Sequence, residues 1–188
     1  PKRIAEGGAI SAPRPGGGFV VYSKSSMTMP PQVFRISSTG SAEKALTMEN
    51  EALKRDVAFT AVESRTVKGS GGTAVQYWLV RPPNFDASRK YPVVFLIHGG
   101  PQGAWEDAWS TRWNPSLWAA QGWVVAAPNP RGSTGFGQKF VDEISGDWGG
   151  KVYQDIMAGV DVVAALPYVD GTRLAAAGGS YGGYMVNW

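Results

Sequence analysis

The residues of this 188-residue chain that could do chemistry gather in two glycine-rich turns. Gly178-Gly-Ser-Tyr-Gly182 has the Gly-x-Ser-x-Gly spacing of a nucleophile elbow, a strained strand-to-helix turn that lifts a serine hydroxyl clear of a sheet. With 15 Ser and 25 Gly in 188 residues, chance alone supplies about a quarter of such a match, so its context decides what it means. Residues 174–177 offer the strand before the turn and residues 184–188 the beginning of a helix after it. Gly178, Gly182 and Gly183 leave space where a side chain would meet the neighbouring strand or helix. The second turn, His98-Gly-Gly-Pro101, follows directly on an apolar run at residues 93–97. Acyl transfer places negative charge on the former carbonyl oxygen and needs fixed N–H donors aimed there. A Gly-Gly turn at a strand end can present one donor, and the amide of Tyr181, the residue after the serine, can present the other. Each turn alone also reads as a tight turn that needs positive φ. Both in this order point to Ser180 as a nucleophile.

Attack by a serine hydroxyl requires a base, normally a histidine oriented by a carboxylate. In chains with this elbow those partners follow the serine, yet no Asp, Glu or His lies among the eight residues after Ser180. His98, the only histidine, precedes Ser180 by 82 positions and sits in the other turn, where a structural role is the expectation. The chain also opens on Pro1 with no leader pattern. Both ends are therefore expected to be cut from a longer protein, leaving a fragment with little activity of its own.

The elements that must position these turns alternate along the second half. Residues 93–97 read as a central strand, 115–121 as a helix with Pro115 in its first turn, 123–127 as a buried strand, and 153–166 as the best helix. In that helix Ile156, Val160, Val163 and Leu166 recur at helical spacing before Pro167. Such alternation predicts a mainly parallel sheet covered on both faces. Before it, residues 62–67 and 73–80 read as a hairpin with a glycine-rich tip at 68–72. Further upstream, residues 19–22 and 32–36 read as strands separated by a Ser/Met/Pro-rich stretch at 23–31, and residues 42–55 as a helical connector. Two strands cannot bury a core, so they belong to a larger β structure. The eight tryptophans, all at or beyond Trp78, are expected to fill the core and cover the sheet.

Composition removes other chemistries. The net charge is +3 with no Lys/Arg stripe, which leaves nucleic acid without electrostatic support. The absence of Cys excludes disulfides, thiolate zinc and a thiol nucleophile, and a single His leaves no metal cluster. No cofactor and no metal are expected, and no apolar stretch is long enough for a membrane-spanning helix.

His98-Gly-Gly-Pro101, Asn129-Pro-Arg-Gly-Ser-Thr-Gly-Phe-Gly137, Asp147-Trp-Gly-Gly150 with Asp155, and Gly178-Gly-Ser-Tyr-Gly-Gly-Tyr-Met185 together resemble the prolyl oligopeptidase family of serine peptidases, nearest its acylaminoacyl-peptidase and dipeptidyl-peptidase-like members. The resemblance covers residues 57–188. It implies an α/β fold: the N-terminal part of an α/β-hydrolase domain, up to the nucleophile elbow, at 57–188, preceded at 1–56 by the end of a β-propeller and a connector. It implies Ser180 as nucleophile, Gly100 and Tyr181 as the oxyanion amides, and a peptide substrate cleaved at a peptide or N-acyl-peptide bond through an acyl-enzyme. Some members take an oxyanion donor from a tyrosine side chain where this chain has the His98 turn, so that variant does not carry over. A carboxylesterase or lipase of the same fold, or an inactive binding protein, are the alternatives. For Arg131 the readings are a charge at the site mouth or a loop organiser held by a carboxylate such as Asp147. Asp155 and Asp161 are expected on a solvated or salt-bridged helix face. A cytoplasmic location is expected, with a periplasmic or secreted one as the alternative.

Overall fold

The computed structural model describes residues 2–188 as two compact units. One comprises the chain up to Phe59 together with Glu106–Asn114, and the other comprises Thr60–Trp105 and Pro115–Trp188.

The first unit is a four-stranded antiparallel meander, β1 (Ala9–Gly16), β2 (Phe19–Ser26), β3 (Met29–Ser37) and β4 (Lys44–Ala45), in sequential order. Its strands run further than the apolar patches at 19–22 and 32–36. The Ser/Met/Pro stretch expected to separate them is strand up to Ser26, which pairs with Met29 across a tight turn. β1 carries no apolar run, Ile10 being its one large apolar residue. Its Pro13 and Pro15 are tolerated because β1 is an edge strand whose register shifts between Ser11 and Arg14, where Ala12 adopts φ 50°. The connector expected to be helical at 42–55 is mostly not. Residues 44–45 join the sheet as β4, and only α1 (Glu51–Asp56) is helical. Glu43 is drawn back to the sheet, where it accepts a short hydrogen bond from the Tyr22 hydroxyl and ion-pairs with Lys24 at 3.1 Å. Burial and the Glu43 carboxylate push the Tyr22 hydroxyl up to about 12. Tyr22, Met27 and Ile36 form the buried centre of this unit.

The second unit is built on a five-stranded mixed sheet. β5 (Val62–Lys68) and β6 (Ala74–Val80) form the expected hairpin, joined through a 3-10 turn at Ser70–Gly72. β7 (Tyr91–Ile97), β8 (Val124–Asn129) and β9 (Val169–Gly178) follow, in spatial order β5-β6-β8-β7-β9. The three strands after Pro92 are mutually parallel, while β6 pairs antiparallel with β8. The sheet is thus mixed rather than mainly parallel, because the hairpin extends it on one side. Between the parallel strands run α2 (Pro115–Ala119), α3 (Gln138–Asp142) and α4 (Lys151–Ala164), and α5 (Tyr181–Asn187) follows β9.

The apolar periodicity of α4 is borne out by its packing. Val163 is fully buried with Tyr77, Leu79, Val93 and Phe95 of the sheet, while Ile156 and Val152 pack with Ile97, Tyr181 and Met185. Gly150 is the N-cap of this helix, and Asp147 Oδ2 accepts from the N–H of its first residue, Lys151, at 3.1 Å. β9 lies at one edge of this sheet among the described residues, and its residues 171–176 are exposed, Leu174 by 39%. None of the eight tryptophans is fully buried. The indole N–H needs an acceptor, which holds Trp78 and Trp105 at the sheet border, donating to the carbonyls of Trp105 (2.8 Å) and Leu96 (2.9 Å).

Candidate active site

β7 and β9 run side by side, with Ile97 beside Gly178, so their C-terminal ends deliver the two glycine-rich turns to the same place. At the end of β9 the chain reverses sharply into α5. Ser180 takes φ 56° and ψ −124°, a conformation that a residue with a Cβ adopts only when its surroundings impose it. Its side chain is exposed.

The imposition comes from close backbone packing. A Cβ on Gly182 would lie 2.0 Å from the Ile97 carbonyl oxygen, and one on Gly178 would lie 2.6 Å from Gly182 and 2.8 Å from the same oxygen. The first turn of α5 therefore rests on the ends of both strands. Gly183 differs: its nearest neighbour would be at 3.4 Å, an ordinary contact. The space argument holds for Gly178 and Gly182 but not for Gly183.

The other turn lies against the serine. A Cβ built on Gly99 would stand 3.4 Å from Ser180 Cβ and 3.9 Å from its Oγ. Gly100 has φ 131°, and a Cβ there would meet the Gln102 nitrogen at 2.5 Å, so only glycine fits. Neither the Gly100 N–H nor the Tyr181 N–H donates to a protein acceptor among the described residues. Tyr181 is the first residue of α5, whose opening N–H groups have no partner within the helix. Its side chain is buried, with the hydroxyl donating to the Trp148 carbonyl at 2.7 Å and its acidity suppressed by burial.

His98 does not face the serine as a base. Its Nδ1 lies 2.8 Å from the Gly99 carbonyl oxygen and its Nε2 2.9 Å from Ser133 Oγ. The ring is 9% exposed, and burial holds its pKa below the ordinary imidazole value.

Arg131 is a loop organiser, but not through Asp147. The guanidinium Nε lies 3.2 Å from Asp155 Oδ2 and 3.3 Å from Glu143 Oε2, and Nη2 makes a short hydrogen bond to the Ser70 carbonyl. Asp155 is fully buried rather than solvated, and also accepts from the backbone N–H groups of Ser70 (2.9 Å) and Arg131 (3.1 Å). Burial pushes its carboxyl up, against the pull of those donors and the guanidinium. This cluster ties the β5–β6 hairpin tip, the loop after β8 and α4 together behind the site. Its sequence signal was an aspartate next to Ile156, on the apolar stripe of α4. Ser133 was missed as well: the run at 129–137 was visible, but nothing in it singled out a partner for His98. Among the described residues no three His, Asp or Glu side chains cluster to hold a metal ion, and no helix is long and apolar enough to cross a membrane.

Comparison with known proteins finds relatives for this arrangement. Residues 109–188 match the model of the prolyl oligopeptidase family. This segment is a prolyl oligopeptidase family sequence. Dipeptidyl-peptidase 5 of Schizosaccharomyces pombe is 45% identical over 181 residues, covering 96% of this chain and 26% of that protein. Dipeptidyl-peptidase 5 of Aspergillus fumigatus is 56% identical over 117 residues, 62% of this chain and 16% of that one. Among solved structures, acylaminoacyl peptidase of Pyrococcus horikoshii superposes with a TM-score of 0.87 at 26% identity, covering 100% of this chain and 30% of that one. Dipeptidyl peptidase 4 of Porphyromonas gingivalis gives 0.73 at 30% identity, covering 90% and 24%. The chain thus spans about a quarter of the length of its prolyl oligopeptidase family relatives.

Proposed function

We propose that the protein carrying this chain is a serine peptidase that cleaves short peptides through an acyl-enzyme on Ser180. The observation that carries this reading is the meeting of the two turns: an exposed serine held at φ 56°, with the Gly99–Gly100 turn packed against it. Ser180 Oγ adds to the substrate carbonyl as its proton passes to a base, and the Gly100 and Tyr181 N–H groups receive the oxyanion. Collapse expels the amine, which takes that proton, and water then releases the acyl group by the same steps. The base is an imidazole other than His98, because His98 is the only histidine here and both its ring nitrogens face other partners.

For substrate class, removal of dipeptides is favoured over release of N-acyl residues. The relatives named dipeptidyl-peptidase 5 are 45 to 56% identical, whereas the acylaminoacyl peptidase is 26% identical. The mixed sheet of the second unit fits a partial α/β-hydrolase domain. The four-stranded antiparallel meander of the first has the form of one β-propeller blade, which supports reading residues 1–56 as the end of a propeller.

The test is labelling of the complete protein with a fluorophosphonate, followed by assay on dipeptidyl and N-acyl nitroanilides and on an aryl ester. Labelling at Ser180, abolished in Ser180→Ala, with faster dipeptidyl release is the expected result. Ester cleavage without peptide cleavage would select the esterase alternative, and no labelling would leave a binding protein.

A further inference from the structure

We propose that the cleft at the end of the five-stranded sheet opposite Ser180 binds a small-molecule phosphomonoester, its phosphoryl group on Arg89, Lys90 and Arg173 and its organic group on Trp123. The cleft holds about 570 Å³ and lies wholly in the second unit. Small-molecule sites occupy about 300 to 1,000 Å³. Its lining comes from segments that meet where β6 ends and β7, β8 and β9 begin, whereas the two glycine-rich turns stand at the other ends of β7 and β9. The length of β7 separates the two places by about 20 Å. Three cations line the cleft, and no carboxylate does among the described residues. Arg89 and Lys90 lead into β7 and make no ion pair among the described residues. Arg89 lies over the Tyr91 ring, 5.8 Å from its centre. Asp86, the acid within electrostatic reach of Arg89, is engaged by Ser88, whose N–H and hydroxyl donate to Oδ1 at 2.9 and 2.7 Å. Arg173 is aimed by its backbone. Tyr91 faces Val169 while Val93 faces Leu174, so residues 170–173 bulge from the ladder. Asp170 closes the bulge, accepting from the Thr172 N–H at 3.0 Å, the Thr172 hydroxyl at 2.6 Å and Arg173 Nε at 2.6 Å. With Nε taken, the guanidinium offers its two terminal nitrogens. Among the described residues only Nη2 touches a further acceptor, the Lys90 carbonyl at a long 3.4 Å.

These pairings select the ligand. Asp170 offsets Arg173, which leaves the charges of Arg89 and Lys90 to be matched. A phosphomonoester carries about two negative charges and presents three acceptor oxygens around one axis. A carboxylate carries a single charge with its oxygens in one plane, which suits one guanidinium fork rather than donors from two strands. The organic group has a prebuilt wall: Pro82, Pro83 and Pro92 fix their own backbone, and half-buried Trp123 stands beside them. A flat ring placed there gains aromatic contact at little ordering cost.

The test uses the complete protein and keeps the reaction of Ser180 out of the readout. In titration calorimetry phenyl phosphate binds about tenfold more tightly than inorganic phosphate and than benzoate, and it raises the melting temperature as its concentration rises. All three cations are exposed, so their variants fold. The double variant Arg89→Gln with Lys90→Gln weakens phenyl phosphate and inorganic phosphate alike by about tenfold, and Arg173→Gln weakens both by about fivefold. Trp123→Leu weakens phenyl phosphate by about tenfold, to the level of inorganic phosphate, and leaves inorganic phosphate unchanged. Ser180→Ala binds all three ligands like the parent. The inference is overturned if phenyl phosphate does not bind the parent, or if it binds the double variant equally well. It is equally overturned if benzoate matches phenyl phosphate, which marks a general anion patch. A phosphotyrosyl peptide that binds more tightly than phenyl phosphate overturns the small-molecule assignment in favour of a protein partner. Failure of fluorophosphonate labelling removes the peptidase reading and leaves this one standing.

Discussion

Two glycines in the elbow differ by one position and by everything that surrounds them. Gly182 has the Ile97 carbonyl oxygen where its Cβ would be, at 2.0 Å, and that atom is backbone in a central strand. Gly182→Ala must displace β7 or α5 and should destabilise by at least about 3 kcal/mol, or prevent folding, as read from urea denaturation of soluble protein. Gly183→Ala meets only a 3.4 Å contact within a helix and should be neutral or stabilising, by up to about 1 kcal/mol. Equal effects of the two would contradict the packing described. His98 gives a second prediction at this scale. Its pKa is lowered on folding by burial, so the unfolded chain binds the proton more tightly. The stability this neutral ring contributes is complete above the unfolded value of about 6.5 and is lost as pH falls from there toward the lower folded value. The difference in urea midpoint between the parent and His98→Asn should therefore shrink on acidification from pH 7.5 to 5. A constant difference would show that the ring does not titrate on unfolding.

At the scale of elements, the Arg131–Asp155 pair joins three segments that share no strand pairing with one another: the hairpin tip, the loop after β8 and α4. Both side chains are buried, Arg131 at 4% exposure and Asp155 at 0%. Such pairs stabilise little against an apolar replacement, but breaking one leaves a charge unmatched. Asp155→Ala should cost about 3 to 5 kcal/mol, and the double variant Asp155→Leu with Arg131→Met should recover much of that loss. Measured urea midpoints for the two single variants and the double one give the coupling directly. If the double variant is as unstable as the sum of the singles, the pair does not act as a unit. The sequence reading put Asp155 on a solvated or salt-bridged helix face, whereas it stands beside Ile156 on the side of α4 that packs inward. Its partners were not legible, because a hairpin tip at residue 70 and a loop at residue 131 reach Asp155 only when the sheet orders its strands β5-β6-β8-β7-β9.

For the molecule as a whole, the two units depend on different signals. In the second, apolar runs, glycine pairs and helical spacing are local properties, and they were enough to place the two glycine-rich turns at the ends of strands and to show the family they resemble. In the first, the pattern underestimated the sheet. β1 holds two prolines and a glycine and is strand only because β2 offers it an edge, and β4 is two residues long. Replacing Pro13 by Thr on that edge should leave the urea midpoint within about 0.5 kcal/mol of the parent, since an edge position makes no demand on the missing N–H. A large loss would mean that the bulge needs the proline. What the sequence determined unaided was the chemistry: residue types and short spacings fix which groups can attack, donate or turn, since these depend on covalent structure and local backbone preference. Tertiary structure decided which of those groups meet. Gly99 and Ser180, far apart in the chain, meet only because β7 and β9 pair in parallel, and a long-range pairing of that kind is set by the packing of the whole sheet rather than by any single segment.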